Sequence, residues 1–324
     1  MSAPALPAWL EPLGHGIQAI DTGFCRPRFD AAYLVVQDGR AAFIDTGTNA
    51  ALPRLLGALD VLGVPRSAVD WVVVTHVHLD HAGAAGALMA ELPHARLVVH
   101  ERGARHMIDP TALLDGARAV YGAEEVARTY GELRPVAAER VVATRDGTTL
   151  PLAGRPLVFI DTPGHARHHH CVWDEASRGW FTGDTFGLAY PELATPQGPY
   201  LLPTTTPVQF EPEPLLGSIA RLLERKPDRM FLTHYGRVDG VAPLAARLVE
   251  QVRAMVALAR SLAAAPGRHA ALKDGLARLY RERLRALGST VADARIDALL
   301  ALDIELNAQG LGLWLDREAR TAAG

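Results

Sequence analysis

The densest group of potential metal ligands in the chain is the segment Thr75-His-Val-His-Leu-Asp-His-Ala-Gly83. It directly follows a short apolar run that predicts a β-strand. His76 and His78 alternate on an extended stretch, so their imidazoles should point the same way, while Asp80 and His81 come where the chain turns. Imidazole and carboxylate ligands suit zinc, iron or manganese. The segment therefore predicts two neighbouring sets of transition-metal ligands.

Further residues of metal-ligand type stand where other predicted strands end, at positions that a rigid sheet can present. Taken singly, a histidine or aspartate at a strand end is more often a hydrogen-bonding residue than a ligand. Their repetition after several strands is what indicates a shared site. They are His165 in Thr162-Pro-Gly-His165, Asp184 after Gly183, His234 after Thr233, and Asp45 in Phe43-Ile-Asp-Thr-Gly47.

Together these five elements resemble, in order, the five motifs of the metallo-β-lactamase superfamily, over about residues 15–238. The resemblance implies an α/β fold of the αββα sandwich type, with the metals at one edge of the sheets. Carried over residue by residue, it also implies a set of ligands for two metals. They are His76, His78 and His165 for one metal, Asp80, His81 and His234 for the other, and Asp184 as the bridge between them.

Other residues match supporting positions of the family. Asp45 matches an aspartate that orients the histidine-rich loop through hydrogen bonds instead of binding metal. In the stretch His165-Ala-Arg-His-His-His170, His169 aligns with a supporting histidine, and His168 stands where glycine is frequent. Two interpretations of His168 and His170 stay open. They make hydrogen bonds or face solvent, or one of them contacts substrate or moves protons.

The residue of the fourth motif separates the branches of the family. Asp184 stands where the zinc β-lactamases usually carry Cys or Ser, which favours the glyoxalase II and lactonase-like branch. The match to either enzyme is incomplete, because the Gly-Cys-Gly-Arg stretch of glyoxalase II is absent and Gly187 replaces the tyrosine of the lactonases. Tyr190, further on, is a candidate for substrate contact, as is Asn307 if the C-terminal region folds over the site.

The predicted activity is hydrolysis of a small ester, thioester or lactone by a metal-bound hydroxide. A bound metal lowers the pKa of water from ~15.7 to roughly 7, so the nucleophile exists at neutral pH. Asp80 and Asp184 are the predicted catalytic residues, and Asp80 could also pass a proton to the leaving group. The expected cofactors are two divalent transition-metal ions, with zinc favoured and iron or manganese as alternatives.

Three other functions stay open, since one fold hosts many chemistries. The same ligands would serve a phosphodiesterase with a small substrate. Part of the ligand set would serve a mono-iron dioxygenase of the same fold. A metal-stabilised regulatory protein would use the metals without catalysis.

Composition limits the partners and the location of the protein. Hydrophobic residues make up 49% and charged residues 21% of 324 residues, which is typical of a folded globular protein. The formal charge of −3 argues against a nucleic-acid partner bound on a basic face. Without a signal-peptide pattern or an apolar run of about 18 residues, we expect a cytoplasmic protein with a small-molecule substrate and no membrane partner.

The chain divides into two predicted domains. Strand-type runs such as Arg96–His100 and Val141–Thr144 alternate with helical patches, which predicts a layered α/β catalytic domain over residues 1–240. Residues 241–324 carry a helical pattern, which predicts an all-helical extension of three helices, the last beginning at Val291 and ending near Gly310.

Two features of the chain bear on the substrate and the assembly. The apolar helix faces of the extension need a partner surface, so we expect it to border the active-site mouth and to help form a homodimer. The apolar, Pro-rich stretch Tyr200–Phe210 favours a pocket for an ester-type substrate.

Overall fold

The chain folds into two units that interleave along the sequence, as seen in a computed structural model that describes residues 6–205 and 207–323. Unit 1 contains the chain up to Asp161 together with His168–Gly183 and Pro227–Asp239. Unit 2 contains Thr162–Arg167, Asp184–Lys226 and the chain from Gly240 onward. The predicted domains, 1–240 and 241–324, are contiguous and stay a prediction. Thr206, in the Pro-rich stretch, lies outside the described residues.

Both β-sheets belong to unit 1. The strands of the first sheet are β1 (Leu10–Gly14), β2 (Ile17–Asp21), β3 (Ala31–Gln37), β4 (Arg40–Ile44), β5 (Val69–Val73), β6 (Arg96–His100) and β7 (Val141–Thr144). They lie side by side in sequence order, antiparallel from β1 to β4 and parallel from β4 to β7.

The second sheet is formed by β8 (Thr149–Leu152), β9 (Arg155–Asp161), β10 (His170–Asp174), β11 (Gly179–Gly183), β12 (Arg229–Leu232) and β13 (Gly236–Asp239). Its strand order in the described residues is β13-β12-β11-β10-β9-β8. Only β11 and β12 pair in parallel among these strands.

The helices are divided between the units. Unit 1 contains α1 (Leu52–Leu62), α2 (Leu79–Ala82), α3 (Ala85–Glu91), α4 (Glu101–Ile108), α5 (Thr111–Tyr121) and α6 (Ala123–Tyr130). Unit 2 contains α7 (Pro212–Leu223), α8 (Val241–Ser261), α9 (Arg268–Ala286), α10 (Asp293–Leu299) and α11 (Ala301–Ala323). Within the described part of the chain, none of these helices is both long and apolar enough to cross a membrane.

The alternation of side chains along the strands places buried residues on both faces of the first sheet. Leu34 and Phe43 join a core with Leu55 of α1. Their neighbour Tyr33, pointing the other way, joins a second core with Phe159 of the second sheet. Unit 1 is therefore two sheets packed face to face with helices against the first sheet, which is the layered arrangement that the sequence predicts.

The C-terminal helices differ from the prediction in their number and extent. The predicted third helix is divided at Leu300 into α10 and α11, and α11 continues through Gly310 to Ala323. Glycine in a helix interior costs about 1 kcal/mol relative to alanine, which is why the prediction ended the helix there. Burial of Leu311 and Trp314 on the following turn outweighs that cost.

Candidate metal centre

The histidine-rich segment leaves the end of β5 in an extended conformation and then enters the short helix α2. His78 precedes that helix with extended backbone angles (φ −64°, ψ 150°), and Asp80 and His81 lie within it. Nε2 of His76 is 2.7 Å from Nδ1 of His78, and the rings of His76 and His81 have centroids 4.0 Å apart. The three imidazoles are therefore gathered at one end of the first sheet.

Asp45 fixes the orientation of His81. The carboxylate lies directly after β4 and is buried, and its Oδ1 accepts the Thr75 backbone N–H at 2.7 Å. Its Oδ2 accepts from the Thr233 hydroxyl at 2.8 Å and from Nδ1 of His81 at 2.8 Å. Since Nδ1 of His81 is the donor in this bond, Nε2 carries the lone pair that a metal requires. Asp45 itself has φ +57°, a strained value that these hydrogen bonds maintain.

A group of ligand-type atoms surrounds Asp80. One ligand atom each from Asp80, His81 and His234 lies within 4.8 Å of the other two. Nδ1 of His234 donates to the carbonyl of Phe29 at 2.9 Å, and its Nε2 lies 3.4 Å from Oδ2 of Asp80. Both histidines therefore use Nδ1 for a protein hydrogen bond and turn Nε2 towards Asp80. This donor set fits a divalent transition metal.

Unit 2 contains the remaining two predicted ligands. His165 and Asp184 are buried, and Nε2 of His165 lies 3.4 Å from Oδ2 of Asp184. The structure thus brings His165 and Asp184 together in unit 2 and the other five predicted ligands together in unit 1. That all seven form one dinuclear centre stays a prediction.

The histidines after His165 lie in unit 1, where two of them are close to His76. The ring of His169 stacks on that of His76 with centroids 4.8 Å apart. The ring of His168 is 6.2 Å from His76 and 5.6 Å from His78. Burial, together with the nearby His78, lowers the pKa of His168 to about 3, so His168 is neutral at physiological pH.

The His170 side chain is held by two hydrogen bonds within unit 1. Its Nε2 donates to the Val74 carbonyl at 2.9 Å, so Nδ1 accepts from the Thr144 hydroxyl at 2.7 Å. Burial lowers the pKa of His170 to about 3, with a contribution from His100. These contacts hold the start of β10 against the ends of β5 and β7, as the hydrogen-bonding interpretation of this residue expects.

Tyr190 and Asn307, the other two candidates for substrate contact, are buried in unit 2. The Tyr190 hydroxyl donates to Asp303 at 3.1 Å. The Asn307 amide accepts the Thr205 backbone N–H at 2.8 Å and donates to the Pro203 carbonyl at 3.0 Å. Both side chains therefore stabilise unit 2, and their contact with substrate stays a prediction.

Asp30 is a residue of this region that the sequence analysis missed. It is fully buried directly before β3, and its Oδ2 accepts from the Thr22 hydroxyl at 2.7 Å. Burial raises the pKa of Asp30 to about 7, although His234 and His81 act to lower it. An aspartate directly before an apolar run was the available signal, but the histidines that act on it, His81 and His234, are too distant in sequence to form a motif with it.

The profile of the Metallo-beta-lactamase superfamily matches residues 25–234. The chain therefore belongs to this superfamily, which confirms the predicted family and, with the sheets and C-terminal helices described above, the fold class. The assignment of the chain to the glyoxalase II and lactonase-like branch of the superfamily stays a prediction.

Individual relatives show the same architecture. The metallo-beta-lactamase fold-containing protein ST1585 of Sulfurisphaera tokodaii is 27% identical over 229 residues, 69% of this chain and 79% of that protein. The metallo-beta-lactamase family protein TTHA1429 of Thermus thermophilus superposes with a TM-score of 0.68 at 22% identity, over 96% and 95% of the two chains. A diiron chemotaxis sensor, ODP, superposes with a TM-score of 0.52 at 16% identity, over 74% and 93%. The two structural similarities show a common fold.

Proposed function

We propose that the protein is a metal-dependent hydrolase that cleaves a small ester, thioester or lactone. The observation that supports this most directly is the group formed by Asp80, His81 and His234. The two histidines are held through Nδ1 by Asp45 and by the Phe29 carbonyl, so the site is preorganised for a metal before one binds. Membership of a superfamily that consists mostly of metal-dependent hydrolases supports the same conclusion.

The proposed ligand set extends to all seven predicted residues, with two divalent ions, for which we favour zinc. When bound, these ions would make water a nucleophile at neutral pH and would polarise the substrate carbonyl. In this proposal His76, His78 and His165 would hold one ion, Asp80, His81 and His234 would hold the other, and Asp184 would be shared between them. The support is the gathering of five of these side chains in unit 1 and the close approach of His165 and Asp184 in unit 2.

Asp80 differs from the other members of its group in being accessible. Its side chain is 27% exposed, whereas those of His81 and His234 are 0% and 5% exposed. Asp80 is therefore the member of this group that solvent contacts most. We assign to Asp80 the transfer of a proton to the leaving group, in addition to metal binding.

The preference for a carboxyl-derived substrate rests on charge and on chain length. The formal charge of −3, with arginine spread along the whole chain, argues against a long positive track for a polynucleotide. The nuclease branches of the superfamily that carry a large inserted domain place it between the fourth and fifth motifs, and the interval from Asp184 to His234 is too short for one. The cytoplasmic location and the homodimer are proposed on the sequence arguments alone.

A regulatory role for the metal centre is the second candidate, because the fold is shared with a diiron chemotaxis sensor. A phosphodiesterase with a small substrate and a mono-iron dioxygenase are the remaining alternatives. The metal content of the purified protein and its turnover of test substrates distinguish these alternatives from one another.

The experiment is elemental analysis of protein purified without chelators, followed by a substrate panel on the metal-replete protein. The panel contains aryl esters, acyl thioesters, lactones, bis-aryl phosphodiesters and single-stranded RNA. We expect two transition-metal ions per chain, and turnover of at least one carboxyl-derived compound that chelation abolishes and metal restores. One iron per chain would favour the dioxygenase. Turnover of phosphodiester or RNA alone would show that the substrate class is wrong, and two metals without turnover would favour the regulatory role.

A further inference from the structure

The segment that carries His165 is anchored by residues 208–211, which we call the bridge segment. The Glu211 backbone N–H donates to the Gly164 carbonyl at 2.8 Å. The Arg167 backbone N–H donates to the Gln209 side chain at 2.8 Å, and the Arg167 guanidinium pairs with Glu211 at 2.6 Å. These contacts are made by Gly164 and Arg167, which flank His165 within two residues, so the bridge segment sets the position of its backbone.

Helix α7 leaves little room for the backbone beside His165 to move. Gly164 has φ +127°, and a Cβ atom built on it would lie 2.2 Å from the backbone nitrogen of Leu215 in α7. The Ser218 hydroxyl donates to the Pro163 carbonyl at 2.7 Å. Because the fit is so close, a displacement of the bridge segment, which leads directly into α7, must displace His165 as well.

The bridge segment is held in turn by the C-terminal helix. The guanidinium of Arg317, on α11, donates through Nη1 to the Val208 carbonyl at 2.7 Å and through Nη2 to the Phe210 carbonyl. The ring of Phe210 also packs edge-on against Trp314, one turn earlier on α11, with centroids 6.3 Å apart. Two carbonyls separated by one residue are thus bound by one planar, two-pronged donor, for which lysine is a poor substitute.

We propose that Arg317 is a positioning residue for His165, so that the C-terminal helix determines how tightly the protein binds one of its two metals. The inference rests on the proposed function insofar as it takes His165 as a ligand. Arg317 acts through the bridge segment and contacts neither metal nor substrate. Partners that orient a ligand typically contribute 10–100-fold to metal affinity. As Arg317 acts through intervening residues, we expect an effect at the lower end, about tenfold.

The test compares Arg317→Met and Arg317→Lys with Arg268→Met in the full-length protein. Arg268 pairs with Asp316, the neighbour of Arg317 on α11, so Arg268→Met removes the contact of another arginine with the same helix without touching the bridge segment. For each variant, thermal unfolding, zinc affinity per site and the visible spectrum of the cobalt-loaded protein are measured. Amide hydrogen exchange of residues 162–167 is followed in both the purified and the chelator-treated protein.

Arg317→Met should weaken one metal equivalent about tenfold, alter the cobalt spectrum and accelerate exchange in residues 162–167. Arg317→Lys should be intermediate, and Arg268→Met should change none of the three. If Arg317→Met behaves like Arg268→Met, the inference is wrong.

Two further variants cover the other outcomes. If Arg317→Met does not fold, Gln209→Leu tests the same connection by removing the acceptor of the Arg167 N–H, and unchanged metal affinity and exchange in this variant would overturn the inference. His165→Ala tests the proposed ligand directly, and if it retains both metals, the ligand assignment fails. Amide exchange in the chelator-treated protein would still decide whether Arg317 positions the His165 backbone.

Discussion

Oδ2 of Asp45 accepts a hydrogen bond from Nδ1 of His81 at 2.8 Å, and both side chains are excluded from solvent. The two residues are far apart in sequence, yet this bond decides which imidazole nitrogen of His81 is available to a metal. The same carboxylate binds Thr75, directly before the histidine-rich segment, and Thr233, directly before His234. Asp45 therefore aligns two motifs that contain predicted metal ligands, while its own oxygens are occupied by protein donors.

Asp45→Asn should weaken metal binding without abolishing it. One carboxylate oxygen would be replaced by an NH2 group, which cannot accept the hydrogen bonds of His81 and Thr233. His81 would therefore lose its fixed orientation. We expect metal affinity to fall about 10–100-fold. Zinc titration against a competing chelator would measure this. Unchanged affinity in a folded variant would show that His81 needs no support from Asp45.

Asp184→Ala should have a larger effect than Asp45→Asn, because the proposed bridge contacts both metals. We expect the loss of at least one metal equivalent and a fall in turnover beyond the roughly 100-fold limit of residues that only support a ligand. Elemental analysis and initial rates provide the measurement. Asp303→Asn is a matched control in unit 2, since an amide oxygen can still accept from Tyr190. Retention of both metals and full rate in Asp184→Ala would refute the dinuclear assignment.

The buried ion pair between Arg155 and Asp174 should be required for the stability of unit 1. Its two hydrogen bonds are 2.7 and 2.6 Å long, and the two side chains are 4% and 0% exposed. Arg155→Met leaves an unpaired buried carboxylate and should destabilise the fold by about 3–5 kcal/mol. The double variant Arg155→Met/Asp174→Leu should be less destabilised than Arg155→Met, as measured by denaturant unfolding.

The same pair predicts a loss of stability in acid. Burial raises the pKa of Asp174, but hydrogen bonds from Arg155 and Ser177 outweigh burial and leave the pKa below its ordinary value of 3.8. A carboxyl whose pKa is lower in the folded state stabilises the fold above the unfolded-state pKa, and this contribution is lost as the pH falls below about 4. In Asp174→Asn, the unfolding free energy should depend less steeply on pH in this range.

His170 should contribute a second loss of stability on acidification, in a higher pH range than that of Asp174. Burial keeps the pKa of His170 near 3, below its ordinary value of 6.5, so the folded state binds this proton less readily than the unfolded chain. Stability should therefore fall as the pH decreases from about 6.5 towards 3, by an amount on the order of a few kcal/mol. His170→Gln keeps a donor for the Val74 carbonyl but cannot titrate, and should flatten this part of the profile. Thr144→Val removes only the hydroxyl partner and should lower stability while keeping the pH dependence.

The central strands of the fold could be predicted from the sequence, and several edge strands could not. The apolar run Arg96–His100 coincides with the central strand β6, and the run Val141–Thr144 coincides with β7, an edge strand that the sequence also predicts. The strands without a prediction are β1, β8 and β13, and each lies at the edge of its sheet. Edge strands tolerate proline, as at Pro12 and Pro151, and bury few residues, so they carry no regular apolar pattern.

The ligand-type residues of the site could be found because each lies in a short motif at the end of a strand. The contacts that orient them could not, since they join residues distant in sequence. Thr233 and Asp45 are 188 residues apart, and His234 and Phe29 are 205 residues apart. The contact between Arg317 and the bridge segment could not be predicted for the same reason. Arg317 binds backbone carbonyls, which every residue type carries, so no sequence pattern marks its partners.

The interleaving of the two units has a consequence for synthesis on the ribosome. Thr205 bonds to Asn307, which is made 102 residues later. At a translation rate of about 5–20 residues per second, on the order of 5–20 seconds pass between the synthesis of the Pro-rich stretch and the synthesis of its partner helix. During that interval Leu201 and Leu202, buried in the finished protein, lack the C-terminal helices of their own unit. The nascent chain therefore passes through a period in which it presents an apolar segment to chaperones, and slower translation of α8–α11 would lengthen it.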